Sequence, residues 1–152
     1  MKEKEIDMTY RKILVPVDFS PCSLQAFRAA AELAAEFHAV IVVLHIVDEK
    51  IIDQVASIGK VKKEQIAKLF HRKAREQFRA FLEKEEPATS VKRKVTVGTP
   101  FEEILKTIRS EGFDLVVMGR YGGTGELEKI LFGSTAEKVV RLSPRSVLSV
   151  VL

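Results

Sequence analysis

The chain has 152 residues, with 25 Lys and Arg against 21 Asp and Glu, 46% hydrophobic and 30% charged residues, three histidines and a single cysteine. At roughly 100–200 residues per domain this length leaves no room for a two-domain enzyme, the hydrophobic fraction excludes intrinsic disorder, and the apolar runs are too short to span a bilayer as helices. The charge-alternating start lacks the apolar core of a secretory signal, and one cysteine fits a reducing compartment, so a cytoplasmic chain is expected. Residues 1–9 read as a flexible tail and residues 10–152 as a single domain. The surplus of four positive charges is interleaved with acids, which argues against a nucleic-acid partner.

The first apolar run, Lys12-Ile-Leu-Val-Pro-Val-Asp18, is short, β-branched and almost continuous, as expected of a strand buried on both faces. Ser20 then offers an N-cap with Pro21 at the first helical position, and Leu24, Phe27, Ala31, Ala34 and Ala35 repeat at helical spacing to about Phe37. A second buried strand follows at Val40-Ile-Val-Val-Leu-His-Ile-Val47. Residues 48–61 show no clear period and read as a long loop, a candidate lid.

A longer helix carries Ile66, Leu69, Phe70, Ala74, Phe78, Phe81 and Leu82 on one side. The next strand, Val91-Lys-Arg-Lys-Val-Thr-Val97, mixes valine with basic residues, the pattern of a strand with one wet face or of an edge protected by charge. Thr99-Pro-Phe-Glu102 has the form of a capping box and opens a helix with Ile104, Leu105 and Ile108 inward. Phe113-Asp-Leu-Val-Val-Met118 is a third buried strand, a helix starts near Ser134 and must stop before Pro144, and Val147-Leu-Ser-Val-Val-Leu152 closes the chain as a fifth strand. The alternation of strands and helices implies an α/β three-layer sandwich with a five-stranded, mainly parallel, Rossmann-like sheet.

In such sheets ligands bind beyond the carboxyl ends of the strands, where the strand order reverses. The first strand ends in Pro16-Val17-Asp18, placing a carboxylate at the mouth of the sheet. The fourth runs into Gly119-Arg-Tyr-Gly122 and, after ten residues, Gly133-Ser-Thr135 at a helix start. Glycines let backbone N–H groups approach an anion, and a helix N-terminus supplies unpaired donors with partial positive charge. Gly119, Gly122, Gly133, Ser134 and Thr135 thus form a candidate split phosphate cradle; the spacing equally suits plain turns and a helix cap. Asp18 has a similar double reading, as a ligand contact or as a turn residue.

Other phosphate-binding patterns do not match. A Walker loop needs a lysine between the last glycine and the Ser or Thr, which Gly133-Ser134 lacks, and the dinucleotide fingerprint belongs after the first strand, where Asp18-Phe-Ser-Pro21 stands. A phospho-receiver would place an aspartate after the third strand, which here ends in Val97-Gly-Thr99. No Ser/His/Asp triad, carboxylate pair or metal-ligand cluster appears, so an efficient catalyst is not expected. His45, inside an apolar strand, reads as a core imidazole; Cys22 reads as a small buried residue, and Lys92, Arg93 and Lys94 as edge protection.

Five segments in order, Lys12-Ile-Leu-Val-Pro-Val-Asp-Phe-Ser20, Leu44-His-Ile-Val-Asp48, Val97-Gly-Thr-Pro100, Asp114-Leu-Val-Val-Met-Gly-Arg-Tyr-Gly122 and Gly133-Ser-Thr-Ala-Glu-Lys-Val139, resemble the universal stress protein family, in its ATP-binding branch. The resemblance implies a nucleotide-dependent switch in a stress response, with ATP and Mg²⁺ as ligands and at most slow hydrolysis. It places Pro16, Val17 and Asp18 on the adenine and ribose side, Ile46 in the adenine slot, and Gly98 and Met118 around the nucleoside. Gly119 and Gly122 fall at the ribose-phosphate turn, and Gly133, Ser134 and Thr135 at the phosphates; Arg120 is a further phosphate candidate on chemical grounds. The branch spaces its last two glycine positions by nine residues and this chain has ten, with the extra one near Glu126. The alternative is therefore a dimeric interaction module of the same fold that binds no nucleotide. In either case the resemblance implies a homodimer formed through the final strand, Val147 to Leu152.

Overall fold

The computed structural model describes residues 9–122 and 132–152. The expected tail, apart from Thr9, and the extra residue near Glu126 lie outside the described residues. The described residues form five strands and five helices, alternating except where two helices follow β2: β1 (Lys12–Pro16), α1 (Pro21–Phe37), β2 (Val40–Asp48), α2 (Glu49–Gly59), α3 (Lys63–Leu82), β3 (Val91–Gly98), α4 (Pro100–Glu111), β4 (Leu115–Gly119), α5 (Ser134–Leu142) and β5 (Ser146–Val150). The strands form one sheet in the order β3-β2-β1-β4-β5, and every neighbouring pair is parallel.

The three continuous apolar runs occupy the three central positions, because only strands covered on both faces need apolar side chains at every residue. Alternation along them divides the core. Ile13, Val15, Ile41, Val43, Leu115 and Val117 pack with Ala26, Phe27, Ala30 and Ala34 of α1 and with Phe78 and Leu82 of α3. On the other face, Leu14, Val42, Leu44, Val116 and Met118 pack with Ile104, Leu105 and Ile108 of α4 and with Ala136 and Val139 of α5. Basic β3 is an edge strand, as its charge pattern implies; Lys94 and Glu111 form an ion pair beside it.

Local chemistry fixes the junctions. The Ser20 hydroxyl caps α1 by accepting from the Ser23 amide at 3.2 Å, with Pro21 in the first turn. Asp114 joins the start of β4 to that of β1, its Oδ2 accepting from the amides of Arg11 at 2.8 Å and Lys12 at 2.9 Å.

Two local expectations are corrected. Residues 48–61 are mostly helix rather than a loop or lid: Asp48 caps α2, accepting from the Lys50 amide at 2.9 Å, and Lys60 ends it in a left-handed conformation. Ile52 and Ala56 of α2 are buried against Val47 and Ile66. Thr99 does occupy the N-cap position of α4, but its side chain makes no capping bond and donates instead to Glu49 Oε1 at 2.9 Å. The capping-box bond is replaced by a tie between the N-terminal ends of α4 and α2.

Candidate functional site

In this strand order, β1 is where connections diverge: β2 and β3 extend the sheet one way, β4 and β5 the other. A crevice must therefore open beyond the carboxyl ends of β1 and β4. A cavity of about 360 Å³ lies there, within the range of roughly 300–1,000 Å³ usual for small-molecule sites.

Each wall follows from an element already placed. Pro16, Val17 and Asp18 enter at the end of β1, and Ile46 from the face of β2 that packs toward α4. Met118 and Gly119 close the end of β4, with Tyr121 and Gly122 just after it. Gly133, Ser134, Thr135 and Ala136 bring in the start of α5. Ten of the twelve residues singled out from the sequence therefore line one cavity.

Gly98 and Arg120 are not on this wall. Gly98 ends the edge strand, two strands away from β1, and the α4 residues Pro100 and Ile104 reach the cavity in its place. Arg120 has its backbone engaged in the fold: its amide donates to Val150 O at 2.8 Å and its carbonyl accepts from the Gly133 amide at 2.8 Å. Sequence reasoning missed Ser23, Pro100, Ile104, Tyr121 and Ala136, and gave His45 no part in the wall. Helical spacing from Pro100 to Ile104 was the available signal for α4, whereas nothing in the sequence set Tyr121 apart. It is in fact buried, its hydroxyl accepting from the Leu152 amide at 3.3 Å.

The cavity is polarised. Val17, Ile46, Met118, Pro100 and Ile104 give it an apolar end. At the other, Gly133 is the N-cap of α5 and makes no side-chain capping bond, so the first N–H groups of the helix lack intrahelical partners and carry partial positive charge. Among the described residues Asp18 is the one carboxylate of the wall; its Oδ1 accepts from the Ser20 amide at 3.0 Å. A Cβ on Gly122 would stand 2.4 Å from Asp18 Oδ2, so glycine lets the carboxylate lie against the β4 turn. Gly119 has a packing reason as well, since a Cβ there would meet Cys22 Sγ at 2.9 Å in the first turn of α1. Cys22 itself is fully buried. Among the described residues no group of His, Cys, Asp and Glu could by itself hold a metal ion, and no helix is long and apolar enough to cross a membrane.

His45 Nδ1 lies 2.9 Å from Val17 O; a carbonyl only accepts, so Nδ1 carries the proton. Burial lowers the His45 pKa below its ordinary 6.5, opposed in part by the Val17 carbonyl and by the charge of Asp18. The unfolded chain then binds a proton near pH 6.5 that the folded chain takes up only at lower pH. Stability contributed here is full above that pH and falls as the solution is acidified through the window below it. Urea unfolding at a series of pH values should show this decline, and His45→Asn should flatten the part that histidine contributes.

A model of the universal stress protein family matches residues 9–150. Universal stress protein MJ0577 of Methanocaldococcus jannaschii is 33% identical, over 95% of this chain and 97% of its own. The solved structure of MJ0577 superposes with a TM-score of 0.80 at 30% identity, covering 95% of this chain and 97% of that one. Universal stress protein UspA from Lactobacillus plantarum gives a TM-score of 0.72 at 28% identity, with 93% and 98% covered. A universal stress protein solved in complex with cAMP gives 0.60 at 25% identity, with 94% and 98% covered.

Proposed function

The chain belongs to the universal stress protein family, and we propose that it is a nucleotide-binding member, holding ATP in the cleft beyond β1 and β4 as a switch for a protein partner. The observation that carries this reading is the polarity of the cleft. An apolar slot for a base lies between Val17, Ile46 and Met118, and the uncapped start of α5 faces the same space. Such an N-terminus favours phosphate through its N–H groups without a lysine. The relative solved with cAMP supports an adenine nucleotide as the class of ligand. With Asp18 as the single carboxylate of the wall among the described residues, Mg²⁺ would arrive on the phosphates, its usual mode with nucleotides.

Titration of nucleotide-stripped protein with ATP, ADP and AMP, with and without Mg²⁺, tests this. Micromolar affinity for ATP, about −8 kcal/mol, is expected. No heat and no thermal shift with any of them would remove the nucleotide and leave the dimeric interaction module.

The proposal includes a cytoplasmic homodimer formed through the run from Val147 to Leu152. Among the described residues strand β5 pairs only with β4 and ends the sheet, with Leu148 40% and Leu152 62% exposed. An open apolar edge favours a second strand. Leu148→Glu is expected to shift sedimentation from dimer to monomer, because two like charges would meet across the two-fold; an unchanged dimer would place the interface elsewhere.

A further inference from the structure

We propose that His45 is a positioning residue for this cleft: from behind the sheet its Nδ1–H holds the Val17 carbonyl and thereby fixes the Asp18 carboxylate at the cavity mouth. The inference rests on the nucleotide reading for its functional meaning, though its geometry does not. Along β2, Val42, Leu44 and Ile46 pack toward α4 and α5, whereas Ile41 and Val43 pack toward α1 and α3. Alternation puts the His45 ring on the second face, where it lies 4.4 Å from the Phe19 ring and 6.4 Å from that of Phe78. The imidazole thus packs on the α1 and α3 face of the sheet, while His45 also belongs to the cavity wall beside Val17 and Ile46.

What it grips is the turn that presents Asp18. Phe19 has φ 65°, a left-handed conformation that a bulky residue adopts only when its surroundings hold it there. Three aromatic contacts hold its side chain, from His45, Phe78 and Phe81. The backbone is held on one side by the Val17 amide donating to Leu44 O at 2.8 Å, and by His45 donating to Val17 O at 2.9 Å. On the other side Asp18 Oδ1 accepts from the Ser20 amide. Val17 is 6% exposed, so without the imidazole its carbonyl would be left short of a partner in a buried place, a state that drives local rearrangement. The turn would relax and the carboxylate would leave its place against Gly122.

The test compares the full-length protein with His45→Asn, which keeps an N–H near the Nδ1 position, and His45→Leu, which has none. Two readouts are taken: ATP affinity by calorimetry, and amide exchange at Ser20, with Leu14 exchange as the measure of global opening. In the wild type the Nδ1 nitrogen should show the nuclear resonance shift of a protonated nitrogen at neutral pH, which a space-filling histidine need not. His45→Leu should weaken ATP binding and speed Ser20 exchange relative to Leu14 by about tenfold or more, and His45→Asn should stay within about threefold of wild type in both. Leu matching wild type in both readouts overturns the proposal. So does Asn failing as fully as Leu, which would assign the effect to ring packing. If wild-type protein binds no nucleotide, the nucleotide reading fails, and Ser20 exchange in the two variants still decides whether His45 positions the turn.

Discussion

Phe78→Ala should lower the unfolding free energy by about 3–5 kcal/mol, the range for removing a buried phenylalanine from a core that cannot collapse around the space. Phe78 is 1% exposed and sits on α3 where that helix meets the sheet. Its ring stands 5.0 Å from that of Phe19 in an edge-to-face contact, so truncation also removes an aromatic pair. Urea unfolding measures the loss directly. The midpoint should fall with little change in slope, since the surface exposed on unfolding hardly differs. A loss below about 1 kcal/mol would mean that α3 is held mainly by its other contacts, among them Ile66, Ala74 and Leu82. Phe78 also supports the Phe19 turn from beneath, so the variant should hold Asp18 less firmly even where it stays folded.

How much of this was legible beforehand depended on how far a residue's pattern reflects one environment. β1, β2 and β4 declared themselves because strands covered on both faces leave no polar alternation, and β3 because an edge carries charge. α2 was hidden for the opposite reason. Ile52 and Ala56 form its buried stripe, while Ile51, Val55 and Ile58 are apolar and exposed at 47%, 38% and 86%. Two adjacent apolar stripes in eleven residues blur the helical period. Its N-cap was readable, with Asp48 before the first turn, but its end was not, since the left-handed cap is Lys60 and not a glycine.

At the site, Pro16, Val17, Asp18 and the two halves of the glycine pattern came together because topology brings the ends of β1 and β4 side by side. Gly98 was drawn from a resemblance in sequence and is absent from the wall, which Pro100 and Ile104 just after it reach instead. His45 was read as a satisfied core imidazole; it is half-buried, does have a hydrogen-bond partner, and also lines the cavity. Its grip on Val17 could not be read, since it joins residues on two strands through a backbone carbonyl.

Gly133→Val should abolish measurable ATP binding, weakening it by about a hundredfold or more, equivalent to about 2.7 kcal/mol. The geometry is tight for the added carbons, and the surrounding backbone must give way to admit them. A Cβ at 133 would stand 3.1 Å from Arg120 O and 3.2 Å from Tyr121 Cα, and both contacts are backbone that no side-chain rotation relieves. The Gly133 amide also donates to Arg120 O at 2.8 Å, so α5 is hung from the end of β4 at this point. Valine must push the helix start away from that turn, carrying with it the N–H groups of Ser134 and Thr135 proposed to meet the phosphates. Overpacking of this kind costs about 1–3 kcal/mol of stability, so the variant should fold, with a lower urea midpoint. Gly122→Ala separates cradle from fold. Among the described residues its new Cβ meets only the Asp18 carboxylate, the end of a side chain, so it should leave stability within about 0.5 kcal/mol of wild type while weakening ATP through displacement of Asp18. Normal ATP affinity in folded Gly133→Val would show that the start of α5 is not where the phosphates are held.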